Sequence, residues 1–216
     1  MSDFSGILQT KGKSYDVAIE FKPSVVSVSS RRFILEGRGI ERLRLVFKDS
    51  DFHGLDIHKG WLQNFNIFFV SLLTFVFNGE AEELDLKVMY EFGRYIGGGI
   101  MNKEALKLGI ILNGNEYSSS GSTPSFLAEL RELENALKLQ GNVNACFNCR
   151  LSGVNPFTED YSGSILCFRA IKSTYYCIQD EGSYIEATDF SKRVYENFLC
   201  NEYERLTSED KRFFDE

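Results

Sequence analysis

The chain has only three prolines and two histidines in 216 residues, and each shortage closes off a class of protein. With few prolines, 43% hydrophobic and 14% aromatic residues, it has ample apolar surface to bury, which excludes widespread disorder. Two histidines leave little to act as a general base, and no Gly-x-Ser-x-Gly, His-Glu-x-x-His or kinase signature is present. The one long apolar run, Trp61 to Phe77 (WLQNFNIFFVSLLTFVF), is broken by Gln63, Asn64 and Asn66. A spanning helix needs ~20 mainly apolar residues, so buried β-structure is expected there and no membrane partner. The start, MSDFSGILQTKGKSYDV, has no basic segment followed by an apolar one, so a cytoplasmic protein with reduced thiols is expected.

Positive charge is also scarce. The formal net charge is -7, which argues against a nucleic-acid backbone as partner and suits a basic protein instead. Residues 1–60 hold 10 Lys/Arg against 8 Asp/Glu, leaving 14 against 23 for the rest, so an acidic binding face is expected in the later part.

What is there first reads as strands and tight turns. Phe4 to Gln9 leads through Lys11-Gly12 into SYDVAIEFK, where Tyr15, Val17, Ile19 and Phe21 alternate with Asp16, Ala18 and Glu20. Further strands are expected at Val25 to Ser29, Arg32 to Glu36, Leu43 to Lys48 and within LDLKVMYEF. Asn113-Gly114 after LKLGIIL is a hairpin turn, because both residues tolerate positive φ. Residues 1–117 are therefore expected to form an antiparallel β module, a sandwich or curled sheet.

The small polar stretch SSSGSTP, Ser118 to Pro124, marks a boundary, with Thr123 as N-cap and Pro124 as first residue of a helix. Phe126, Leu127, Leu130, Leu133 and Leu137 then recur at helical spacing. Beyond it, SILCFRAI and TYYCIQ look like paired strands, and a second helix is expected from Thr188 or Asp189, burying Phe190, Val194 and Phe198. Residues 124–205 thus make a smaller α+β module, so the fold class is α+β, and residues 206–216 form a charged tail that frays.

All five cysteines, Cys146, Cys149, Cys167, Cys177 and Cys200, lie in that module. A structural zinc would take Cys146 and Cys149 from a knuckle-like turn and Cys167 and Cys200 from distant elements; a second Cys-x-x-Cys is lacking. A redox pair should open a helix after a strand, whereas here RLSGVNPF reads as a loop. The third reading is that the thiols pack as small hydrophobes. His53 and His58, the Gly97-Gly98-Gly99 run and the acids Glu82, Glu83 and Asp85 read as loop, bulge and solvated turn.

The succession CFNCRLSGVNPF, Gly163, LCFR at Leu166 to Arg169, and FLCNEYE at Phe198 to Glu204 resembles an uncharacterised bacterial family. The likeness covers residues 124–205, marks Cys146, Cys149, Cys167 and Cys200 as a set and leaves Cys177 outside it. That family carries no assigned chemistry. Similar small, acidic, two-part bacterial proteins are immunity factors that neutralise toxins, an analogy of type.

The expected function is non-catalytic binding of a basic protein partner, a toxin. Glu129, Glu132, Asp180, Glu181 and Glu186 would supply the charge, and Tyr175, Tyr176 and Tyr184 the anchors. The alternatives are an enzyme between the modules, with zinc as cofactor, and a nucleic-acid module using Arg31, Arg32, Arg38, Arg42 and Arg44, which read more simply as the outward face of strands.

Overall fold

Alternating apolar and polar residues set up the first hairpin. In a computed structural model that describes residues 2–22, 25–77, 80–97, 100–138, 140–155, 165–194 and 202–207, β1 (Ser2–Thr10) pairs antiparallel with β2 (Lys13–Lys22) from Ser2↔Phe21 to Thr10↔Lys13. Lys11 and Gly12 turn the chain with φ of 50° and 70°. Val17, Ile19 and Phe21 point inward while Asp16 and Ala18 stay open, as a period of two requires.

The same logic repeats through β3 (Val25–Ser29), β4 (Phe33–Gly37), β5 (Arg44–Lys48), β6 (Ile57–His58), β7 (Trp61–Leu62), β8 (Phe65–Phe77) and β9 (Glu80–Phe92). It continues through β10 (Tyr95–Gly97), β11 (Ile100–Met101), β12 (Glu104–Leu112) and β13 (Asn115–Ser118). The main sheet has the order β13-β12-β9-β8-β1-β2-β3-β4-β5-β7-β6, and β10 pairs separately with β11. The Phe-rich run is strand, since its inward positions Phe65, Ile67, Phe69, Leu73 and Phe75 are all buried. Among the described residues no helix is long and apolar enough to cross a membrane.

The chain is α+β, and its mostly strand backbone divides into two compact units: unit 1 holds Met1–Ser71 with Asp85–Ala136, and unit 2 holds Leu72–Leu84 with Leu137–Glu216. The split differs from the expected break between residues 117 and 124, because helix α1 (Phe126–Leu137) falls almost wholly in unit 1, while the end of β8 and the start of β9 belong to unit 2. In unit 1, α1 buries Phe126, Leu130 and Leu133.

The serine-rich stretch before α1 is pinned in place. The fully buried Glu129 carboxylate accepts the N–H of Gly121 and of Thr123, each at 2.9 Å, and the Thr123 hydroxyl at 3.1 Å. Ser125, not Thr123, caps the helix by accepting the Ala128 N–H. A buried carboxylate is stable there because three donors replace its lost water.

In unit 2, β14 (Asn142–Val143) lines up with the end of β8 through Asn142↔Val76 and Val143↔Phe75. Gly141 permits this approach, since a Cβ there would meet the Val76 carbonyl. A second small sheet joins β15 (Ser152–Val154), β16 (Ile165–Cys167) and β17 (Lys192–Val194), with helices α2 (Lys172–Tyr175) and α3 (Glu181–Thr188) between the last two strands.

Two expectations need correction here. TYYCIQ is helix and turn rather than the partner strand of β16, which pairs with β15 and β17. The helix expected to begin at Thr188 or Asp189 instead ends there, and Val194 belongs to β17. Phe198 lies outside the described residues.

Candidate functional site

The cysteine turn builds the inner wall of unit 2. Cys146 opens a short 3-10 helix, Cys146–Asn148, and Cys149 follows it, donating its N–H to the Cys146 carbonyl at 3.2 Å. Both cysteines are buried, at 4% and 5% exposure. Cys149 packs in an apolar cluster with Leu151, Leu166, Phe168, Tyr175, Tyr184 and Ala187. A thiol in such surroundings behaves as a small hydrophobe.

Cys167 is half-buried on β16 opposite Ser152, Cys177 is exposed beyond α2, and Cys200 lies outside the described residues. Among the described residues no group of three or more His, Cys, Asp or Glu is placed to hold a metal ion.

Asn148 ties the turn together. Its side-chain oxygen accepts the Ala145 N–H at 3.2 Å and the Tyr203 hydroxyl at 2.9 Å, and its amide donates to the Val143 carbonyl. The late segment is laced on by Arg150 N–H to Glu204 carbonyl at 2.6 Å and Leu206 N–H to Asn148 carbonyl at 2.9 Å. Outside this ladder, Glu204 accepts Lys172 Nζ and the Tyr176 hydroxyl, while the Arg150 guanidinium lies 4.7 Å over the Tyr176 ring.

These contacts move both titratable groups. Bonds from Lys172 first, and then Tyr176, hold the Glu204 carboxyl below the ordinary carboxylate range. Desolvation, reinforced by the bond to Glu204, pushes the Tyr176 phenol up to about 12.

The residues expected to face a partner separate into interior and exterior sets. Tyr184 is fully buried and donates to the Val154 carbonyl at 2.7 Å; Tyr175 is buried, donates to the Ser152 carbonyl at 3.0 Å and stacks on Phe168 at 4.4 Å. Neither can anchor a partner, and neither can Glu129, whose carboxylate is spent inside unit 1. Glu132 is exposed in unit 1, where a bond from the Ser120 N–H holds its carboxyl below the usual range.

Tyr176, Asp180, Glu181 and Glu186 are exposed in unit 2. Asp180 caps α3 by accepting the Ser183 N–H at 2.8 Å. With that start fixed, helical geometry turns Tyr184 and Ala187 inward and Glu181, Ile185 and Glu186 outward. Ile185 is 40% exposed and Phe190, just past the helix, 67%.

Glu181 and Asp189 stand one turn either side of Ile185, and Glu186 one turn before Phe190. Two exposed apolar side chains thus sit among three exposed carboxylates. Ile185 and Phe190 were missed from the sequence because a helix beginning at Thr188 would have buried Phe190; the signal that finds them is Asp180 three residues ahead of Ser183, an N-cap pair.

No family model matches the chain, and comparisons with curated proteins and with solved structures find no similar protein.

Proposed function

We propose that the chain is a non-catalytic protein-binding protein that recognises a basic partner through the outward face of α3 and the turn behind it, and that it acts as an immunity factor neutralising a toxin. Unit 2 is then a Cys-containing α+β module that presents this face. The observation that carries the reading is the exposure of Ile185 and Phe190 with Glu181, Glu186 and Asp189 around them. An apolar centre with a charged rim is the anatomy of a transient interface: the centre supplies affinity once water is excluded, and the rim selects a partner of opposite charge.

The test is co-expression of this chain with the product of each neighbouring gene. The expected result is a neighbour that arrests growth alone, is tolerated beside this chain, and is toxic again beside its Phe190→Ala or Glu186→Lys variant. Failure to neutralise any neighbour, or full protection by both variants, counts against the reading.

A further inference from the structure

The turns at one end of unit 1 gather polar side chains that the fold does not use. β1 ends at Thr10 and β8 begins at Phe65, and the two strands pair there through Gln9↔Asn66 and Thr10↔Phe65. The Asn64 N–H donates to the Gly93 carbonyl at 2.9 Å and the Gly93 N–H to the Lys103 carbonyl at 2.8 Å, which draws in the end of β9 and the entry to β12. Residues of these strand ends line one open groove of ≈ 450 Å³.

The hydrogen bonds of the lining are left incomplete. Gln9 and Asn66 stand opposite each other, exposed and half-buried, and neither side chain has a partner among the described residues. Asn102 spends its side-chain oxygen on the Arg94 N–H at 2.7 Å and keeps its NH2 free; Gly93 makes room for it, since a Cβ there would meet that oxygen. The Thr10 hydroxyl, in a residue only 3% exposed, is the one buried side-chain polar atom among the described residues without a partner. A fold normally closes such bonds itself, so polar capacity gathered in one groove suits a polar guest.

Charge and shape narrow the class. Glu91 and Lys103 neutralise each other at 2.6 Å, and Lys11 stands exposed on the hairpin turn. No aliphatic side chain lines the groove; its apolar part is Phe65 and Phe92, stacked at 4.8 Å. An apolar ligand would want an aliphatic wall and a strong anion a surplus of cations.

We propose that this groove binds a neutral saccharide, with Gln9, Asn66 and Asn102 pairing to its hydroxyls and Phe65 and Phe92 as the apolar floor. Primary amides both donate and accept, as sugar hydroxyls do, so each amide can serve two neighbouring hydroxyls of one ring. The volume is that of a small-molecule site. This inference is independent of the α3 face.

The full chain, labelled with nitrogen-15, is titrated with maltose, lactose, cellobiose and di-N-acetylchitobiose at millimolar concentration, and the side-chain NH2 resonances of Gln9, Asn66 and Asn102 are followed. Saturable shifts of these resonances with at least one sugar are expected, at an affinity weakened about tenfold or more by Gln9→Ala with Asn66→Ala. Asn115→Ala, which removes an exposed amide at the start of β13, should leave the affinity unchanged.

Recognition of a neutral ligand also requires an affinity indifferent to salt. Absence of saturable shifts with all four sugars overturns the inference. So does a steep loss of affinity with salt, or an Asn115→Ala loss equal to that of the double variant. The dispersion of the backbone resonances in each variant separates lost binding from lost fold.

Discussion

The Tyr203 hydroxyl donates to the side-chain oxygen of Asn148 at 2.9 Å, and so joins the late segment to the turn between Cys146 and Cys149. Asn148 is buried and spends its amide on this contact and on the backbone of Val143 and Ala145. The integrity of unit 2 therefore rests on an amide beside the cysteines as much as on the cysteines themselves.

Asn148→Ala should lower stability by about 2–4 kcal/mol, since it strands buried donors and an acceptor as well as removing bonds. Tyr203→Phe removes one bond and should cost about 1 kcal/mol. Urea unfolding of both singles and the double is the check: coupled residues give a double variant milder than the sum, and strict additivity would show that they act apart.

Cys149 provides a test of packing against metal ligation. As a small hydrophobe in the Phe168 cluster, it should tolerate Ala with a loss of about 1 kcal/mol and Ser with a larger one, because a hydroxyl there needs a partner. Equal collapse of both variants, with zinc found in the parent protein by elemental analysis, would reverse that assignment.

Glu129→Gln keeps the shape of the side chain but replaces one acceptor oxygen with a donor that faces N–H groups of Gly121 and Thr123. A loss of about 2–4 kcal/mol is expected, with the stretch 119–123 becoming protease-sensitive. If hydrogen exchange at Gly121 and Thr123 is unaltered in the variant, the carboxylate is not what pins that stretch.

The Lys172–Glu204–Tyr176 contact sets a pH window. The Glu204 pKa is depressed in the folded chain, so its contribution is present above the ordinary value of 4.5 and is lost as pH falls below it through the folded value. The Tyr176 pKa is raised from 10.0 to about 12, so its contribution is complete below 10.0 and disappears as pH climbs toward 12. Glu204→Gln should flatten the acid limb of the stability profile, and Tyr176→Phe the alkaline limb; profiles identical to the parent would refute the contact.

Much of unit 1 was legible in the sequence because its signals are local. Alternation wrote β1 and β2, Asn113 and Gly114 turned β12 into β13 with φ of 51° and 78°, and Leu130, Leu133 and Leu137 marked α1. Unit 2 was harder to read, since its short elements take their conformation from tertiary contacts. Tyr175 and Tyr176 have strand propensity, yet the ring of Tyr175 lies flat on Phe168 and so draws that segment into helix α2.

The same limit governed the candidate site. Composition identified the acidic half of the chain, but adjacent tyrosines of equal chemistry ended on opposite sides of the surface, Tyr175 inside and Tyr176 out. The exterior apolar pair, Ile185 and Phe190, became visible only once Asp180 fixed where α3 begins.

The most direct measurement is the association rate of this chain with any neighbouring gene product that co-expression identifies as its toxin, followed across ionic strength for the parent, Glu186→Lys and Phe190→Ala. Recognition by an acidic rim around an apolar centre requires a rate that falls steeply with salt, a Glu186→Lys variant that associates more slowly, and a Phe190→Ala variant that dissociates faster. A rate indifferent to salt, with both variants binding as the parent does, would contradict the assignment of the α3 face.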